Sequence, residues 1–377
     1  MRVIAAIAPL WPLQLLLILV WVWLLLDRGG YWREFVGSHS SPGPLPAEGA
    51  PAVAIIVPAR NEAASVARAV ASLAAQDYAG RFHIFLADDA STDGTAARAR
   101  AAASADRLTV IRAAPLAQGW TGKLWAMQEA IRAASAFAPD SYLFTDADIV
   151  HEAGNLSALV ARAQAGRELV SYMATLHCRT AAERLLAPAF VYFFFLLYPP
   201  AWIRNPRSRA AGAAGGCILI ARAALERIGG LEAIRGEMID DCALARAVKR
   251  SGGRLWLGLS RETHSLREYG TFGEMRQMIS RTAFAQLRYS YAMLAATVLG
   301  LLFAFLLPLA LPPGGTVAWA LMSMTWIPAL RYYGLPAWQA PLLPLVALFY
   351  LGATVHSAVA HARGRGGAWK GRTFPGG

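Results

Sequence analysis

The chain has 377 residues, of which 56% are hydrophobic and only 16% charged, with a mean hydropathy of +0.37. Those values exclude a wholly water-exposed protein and leave room for one sizeable catalytic domain plus membrane elements. The formal charge of +12 suits an anionic membrane surface or a polyphosphate ligand. No nucleic-acid partner is expected, because the arginines are dispersed and no zinc finger or other recognition module accompanies them. Cys178, Cys217 and Cys242 are scattered, lack metal-site spacing and form no disulfide framework, which fits a reducing compartment.

In chain order, Val3–Leu26 is a run of 24 uncharged residues, long enough to cross a bilayer. It lacks a small-residue cleavage site, so residues 1–27 read as an uncleaved anchor. Pro9 and Pro12 bend it without preventing insertion. Residues 28–51, rich in Ser, Pro and Gly after Gly37, read as a linker. A strand at Val53–Val57 follows, then a helix at Glu62–Ala75 with Val66, Val70 and Leu73 at helical spacing. The alternation continues with a strand at Phe82–Ala87, a helix at Gly94–Ala103, a strand at Leu108–Arg112, a helix at Lys123–Ala134 and a strand at Tyr142–Thr145. This pattern predicts an α/β domain over residues 52–268, with a mostly parallel sheet flanked by helices.

Leu185–Ile203 is 19 residues without a charge and rich in aromatics. A membrane crossing here would separate Asp146 and Asp148 from Asp240 and Asp241, so a buried or interfacial element is expected instead. Residues 269–290 predict an amphipathic helix on the membrane surface, with Met275, Met278, Ile279 and Thr282 at helical spacing and Arg276, Arg281 and Arg288 between them. Apolar runs at Ala292–Leu311, Thr316–Leu330 and Pro341–Ala360 make residues 291–361 a membrane region of two or three crossings. The basic tail, residues 362–377, and the arginines before the first run both favour the cytosolic side. That favours two crossings and a re-entrant or interfacial middle segment. Nothing in the sequence sets an oligomeric state.

The chemistry concentrates at strand ends. Asp146-Ala147-Asp148 follows the fourth strand, and two carboxylates one residue apart suit Mg²⁺ or Mn²⁺ shared with a phosphate. Ligands of open α/β sheets gather at such carboxyl ends. Asp88 and Asp89 close the second strand, where a carboxylate can accept hydrogen bonds from a base or ribose. Pro58-Ala59-Arg60-Asn61-Glu62 closes the first strand. Lys123 opens a helix, and Asp240-Asp241 opens another, where the helix dipole favours an ionised carboxylate.

In this order the motifs resemble the inverting glycosyltransferases of family 2, which have a GT-A nucleotide-diphospho-sugar transferase fold. That family carries P-x-x-N-E, D-D-x-S-x-D-G-T and D-x-D strand ends, a glycine-rich segment (here Gly212-Ala213-Ala214-Gly215-Gly216) and a late acidic pair. The resemblance implies a nucleotide-sugar donor held by Pro58, Ala59, Arg60, Glu62, Asp88, Asp89, Lys123, Asp146, Gly215, Gly216 and Arg281. It implies a metal on Asp146 and Asp148, and catalysis by Asp241 with Asp240 beside it. The stretch Gly119–Ala126, the aromatic segment Phe190–Tyr198, Trp256–Leu259 and Arg281–Tyr289 are similar to the hopene-associated members, bacterial proteins linked to hopanoid biosynthesis. This implies a lipid acceptor and a multi-pass inner-membrane protein with its catalytic domain facing the cytosol. Processive members carry Q-x-x-R-W. Here Gln277 and Arg281 stand one residue too far apart and Thr282 replaces the Trp, which argues against a processive polymer synthase. A polyprenyl-phosphate sugar transferase, or a non-catalytic nucleotide-sugar-binding membrane module, are the alternatives the sequence leaves open.

Overall fold

The computed structural model describes residues 10–37 and 49–364, with the backbone of 368–369 and 372–373. The start of the expected anchor, much of the linker and most of the basic tail lie outside the described residues. In chain order the elements are helix α1 (Trp11–Leu26), strand β1 (Val53–Ala59), α2 (Val66–Ala74), β2 (Phe82–Asp88), α3 (Thr95–Ala102), β3 (Leu108–Arg112), α4 (Gly122–Ala133) and β4 (Ser141–Thr145). Then come β5 (Ile149–His151), α5 (Asn155–Gln164), β6 (Leu169–Thr175), α6 (Ala181–Leu197), α7 (Pro200–Arg204), β7 (Cys217–Ala221), α8 (Arg222–Arg227), α9 (Asp240–Arg250) and β8 (Leu255–Ser265). The last major helices are α10 (Phe272–Gln286), α11 (Tyr291–Leu301), the short α12 (Leu307–Ala310), α13 (Gly314–Tyr332) and α14 (Leu343–Ala362).

β1 is buried at all seven positions, as a strand covered by helices on both faces must be. The eight strands form one sheet in the order β3-β2-β1-β4-β7-β6-β8-β5. The expectation of a mostly parallel sheet needs correction: the sheet is mixed. β1, β2, β3 and β4 are parallel and β6 pairs parallel with β8. β7 runs antiparallel to both β4 and β6, and β5 antiparallel to β8. Beyond β4 helices still lie between the strands, α5 before β6, α6 and α7 before β7, and α8 and α9 before β8. β7 nevertheless enters the sheet antiparallel between β4 and β6, so the alternation no longer signals parallel neighbours.

This topology sets the site. Parallel pairing brings the carboxyl ends of β1, β2 and β4 to one edge. Thr145 at the end of β4 pairs with Cys217 at the start of antiparallel β7, so Gly215 and Gly216 reach the same edge. β8 runs with β6, and its end joins them there.

Two further differences from the sequence reading concern the surroundings. Residues 31–35 are not linker but a short 3-10 helix, with Tyr31 and Phe35 buried. Their rings meet Tyr192 and Phe195 of α6 at 5.3 and 5.6 Å. α6 begins at a capping box between Thr180 and Glu183, and Tyr192 and Phe195 are fully buried. The apolar stripe of α10 is also turned inward: Met275, Ile279 and Phe284 are buried. Ser280 Oγ donates to the Ala353 carbonyl (3.0 Å) and Phe284 N–H to Ser357 Oγ (3.1 Å), so α10 runs beside α14.

α1 has 16 described residues, short for a span. Tyr291–Ala310 and Ala337–Ala362 are long and apolar enough to cross a membrane by length and composition. The middle helix α13 packs along α1 and buries Met322, Trp326 and Leu330.

Candidate active site

The edge of the sheet carries a chain of ion pairs. Lys123, in the first turn of α4, lies 2.9 Å from Asp146 Oδ1 and 3.3 Å from Asp240 Oδ2. A cation there opposes the helix dipole, and the two carboxylates supply the compensation. Burial alone would lower the Lys123 pKa, but Asp146 and Asp240 carry it above its ordinary value. Burial pushes the Asp146 carboxyl up, with Asp148 adding to the rise and Lys123 opposing it.

Asp241 accepts from the backbone N–H of Gly215 (2.9 Å) and of Cys242 (2.6 Å). A Cβ on Gly215 would lie 3.3 Å from Asp241 Oδ2 and 3.4 Å from Lys123 Nζ, so glycine permits this close approach. Burial, then Asp240, pushes the Asp241 carboxyl up to about 6, against the pull of Lys123 and the two N–H donors. The helix dipole alone argued for a readily ionised acid. Desolvation and the neighbouring carboxylate outweigh it.

The first and second strand ends are laced together. Arg60 donates to the Asp89 carbonyl (2.5 Å) and lies 3.5 Å from its carboxylate, while Asp89 N–H donates to the carbonyl of Ala59 (2.8 Å). Glu62 N–H donates to Thr95 Oγ1 (2.8 Å). Asp88 is buried, and its Oδ1 has no hydrogen-bond partner. An orphaned buried acceptor costs stability, and a donor-rich group would satisfy it. Pro58 faces the same small cavity as Lys123, Asp146, Gly215 and Asp241.

Arg267 joins this cluster although the sequence reading did not single it out. It lies two residues beyond β8 and contacts Asp148 Oδ2 at 2.7 Å and Glu62 Oε1 at 3.1 Å. Burial opposes its charge, but Asp148 and Glu62 raise its pKa. Only the direction of β8 places it here, and that direction is not local information. Arg281 is not brought into the cluster. It is exposed on α10 and acts on the Tyr269 hydroxyl at range. His177, without an evident partner in the sequence, meets buried Glu183 at 2.9 Å and Glu268 at 3.5 Å.

Among the described residues no group of three or more His, Cys, Asp or Glu side chains converges as a metal site. The two carboxylates Asp146 and Asp148 are hard oxygen donors of the kind Mg²⁺ and Mn²⁺ take, and two protein ligands leave positions for phosphate oxygens. The donor set therefore fits a divalent cation shared with a diphosphate.

The description glycosyltransferase-like family 2 matches residues 50–284, well over half of the chain. The chain belongs to glycosyltransferase family 2. It is an enzyme that transfers a sugar from a nucleotide-sugar. The mannosyltransferase PcManGT from Pyrobaculum calidifontis, solved in complex with GDP-Man and Mn²⁺, is similar over 92% of this chain and 98% of its own, at 20% identity and a TM-score of 0.53. That likeness shows a shared fold reaching beyond the family match into the flanking helices. Glucosyl-3-phosphoglycerate synthase from Mycobacterium tuberculosis, in complex with Mg²⁺ and UDP, is similar over 64% of this chain and 80% of its own, at 19% identity and a TM-score of 0.41. No curated protein sequence matches the chain.

Proposed function

We propose that this family 2 glycosyltransferase is a membrane-bound inverting enzyme that moves a sugar from a UDP-linked donor to a lipid hydroxyl at the cytosolic leaflet of a bacterial inner membrane. The observation that carries the proposal is the meeting of acids from two separate elements, held together by groups from two others. Lys123 ties Asp146, after β4, to Asp240 of α9, and Gly215, before β7, holds Asp241.

In this reading Asp88, Asp89 and the Pro58–Glu62 segment hold the nucleoside. Asp146 and Asp148 hold Mg²⁺ or Mn²⁺, which when bound neutralises charge on the departing diphosphate. Lys123 and Arg267 add positive charge on either side of that group. Asp241 takes the proton of the acceptor hydroxyl. The acceptor oxygen bonds to the anomeric carbon from the face opposite the leaving group. The carbon–oxygen bond to the nucleoside diphosphate breaks with its electron pair on the phosphate oxygen, and one displacement inverts the centre.

A lipid acceptor is supported by the exposed apolar helices that follow the sheet. Leu299 of α11 is 66% exposed and Leu345 of α14 is 58% exposed, which suits lipid contact better than water. The resemblance to hopene-associated members points to a hopanoid as the lipid.

The test is donor hydrolysis and lipid glycosylation by detergent-purified protein across a panel of nucleotide-sugars, with Mn²⁺ or EDTA, beside Asp241→Asn. Turnover of one donor, lost with EDTA and with the variant, is the expected result. Nucleotide binding without turnover, even with bacterial lipid extract, would replace this reading by a non-catalytic module.

A further inference from the structure

Behind the catalytic edge lies a buried polar chain that the proposed reaction leaves without a role. His151, at the end of β5, is 3% exposed, Thr145 is 1% exposed and Asn155 is fully buried. His151 Nε2 lies 2.8 Å from Thr145 Oγ1, and His151 Nδ1 lies 2.8 Å from Asn155 Nδ2. Thr145 Oγ1 lies 2.9 Å from the Gly216 carbonyl.

The proton positions follow from the far end. A carbonyl oxygen only accepts, so the Thr145 hydroxyl donates to Gly216. Its oxygen must then accept from His151, which puts the imidazole proton on Nε2. Nδ1 is left bare and accepts from the Asn155 amide. Burial, with His264 adding to it, holds the His151 pKa down at about 3, so the ring stays neutral as this pattern requires.

We propose that His151 and Thr145 are positioning residues that fix the distance between the donor-binding carboxylates and the base. Thr145 directly precedes Asp146. Gly216 directly follows Gly215, whose N–H holds Asp241 Oδ2. The relay therefore clamps the end of β4, which carries the Asp146-Ala147-Asp148 segment, to the start of β7, which orients Asp241. Strand pairing of Thr145 with Cys217 sets the register, and the side-chain relay removes the remaining play at a point where the backbone leaves the sheet. A glycine pair has no side chains of its own to do this.

The inference rests on the proposed roles of Asp146, Asp148 and Asp241. Its test uses the full-length protein in detergent. Thr145→Val keeps the shape and removes the hydroxyl, whereas Thr145→Ser keeps it. His151→Leu removes the donor, whereas His151→Gln places an amide N–H where Nε2–H stood. For Thr145→Val and His151→Leu the expected result is a fall in kcat of about ten-fold or more. Their affinity for UDP with Mn²⁺ stays within about two-fold of the parent, and the Ser and Gln variants recover most of the rate. Unchanged kcat in Thr145→Val, or a parallel loss of UDP affinity, would overturn the proposal.

A second readout needs no turnover. ¹⁵N-imidazole spectra, with His151 assigned from the Gln variant, should show the Nε2–H tautomer, and the Nδ1–H tautomer would overturn the relay. If the parent protein turns over no nucleotide-sugar, the reading under Proposed function fails, while the tautomer still decides whether the relay exists.

Discussion

A single lysine holds the charge balance of the catalytic edge. Lys123 touches Asp146 and Asp240 and also lowers the proton affinity of Asp241. Two predictions follow from that geometry. Asp241→Asn removes the proton acceptor and is expected to cut kcat by roughly 10²–10⁴-fold with donor affinity retained, measured by transfer kinetics and nucleotide titration. Retained activity would move the base elsewhere. The rate of the parent enzyme is expected to fall on the acid side of about pH 6, because the Asp241 carboxyl, held up at about 6, must be ionised to act. In Lys123→Met the opposing cation is gone, so the acid limb moves to higher pH. A limb that stays in place or moves down would show that Lys123 does not govern Asp241.

At the scale of elements, one carboxylate gathers several of the hydrogen bonds at the joint between α6 and α10. Glu183 is fully buried and accepts from the backbone N–H of Arg179, Thr180 and Tyr269 and from His177. Burial alone would raise its pKa, but these donors bring it down from 4.5 to about 2. The depressed value stabilises the fold by roughly 3 kcal/mol. That contribution is full above about pH 4.5 and is lost as pH falls through about 2. Glu183→Gln turns N–H groups toward backbone donors, so a lower melting temperature is expected at pH 7, with the gap to the parent closing in strong acid. Equal melting at neutral pH would remove the joint from the fold's supports. The elements also show what a linear sequence can carry. The strand ends Glu62, Asp88, Asp89, Asp146 and the pair Asp240-Asp241 were legible because apolar strand, polar turn and helix follow one another locally. The mixed half of the sheet was not, since a strand that follows a helix can enter the sheet in either direction, and β7 enters it antiparallel. Arg267 was hidden with it, because its place depends on the direction of β8. The buried roles of Glu183 and His151 depend on partners far along the chain or on burial that hydropathy does not report.

The whole molecule is built so that the helices around the sheet are part of its core. Tyr192 of α6 shares hydrogen bonds with Tyr31 (2.9 Å) and Thr325 of α13 (2.7 Å), and the Tyr350 hydroxyl of α14 donates to the Leu186 carbonyl (2.9 Å). Trp21 of α1 donates to the Ala304 carbonyl at 2.8 Å and packs edge-on against Phe305 at 5.2 Å. The chain before the sheet and the chain after it thus meet on α6. A separable anchor would leave α6 with a polar outer face, yet this one presents Tyr192, Phe193 and Phe195. Removing everything after Ser290 would strip Thr325, Trp326 and Tyr350 from that face and open both buried rings and hydroxyls to water. Each large apolar side chain so exposed costs about 1.5–3 kcal/mol. The expected outcome is that a fragment of residues 1–290 aggregates without detergent and melts well below the full chain, as read by size-exclusion chromatography and thermal unfolding. A monodisperse fragment with the stability of the full chain would show instead that the sheet stands alone and that the helices serve only to attach it.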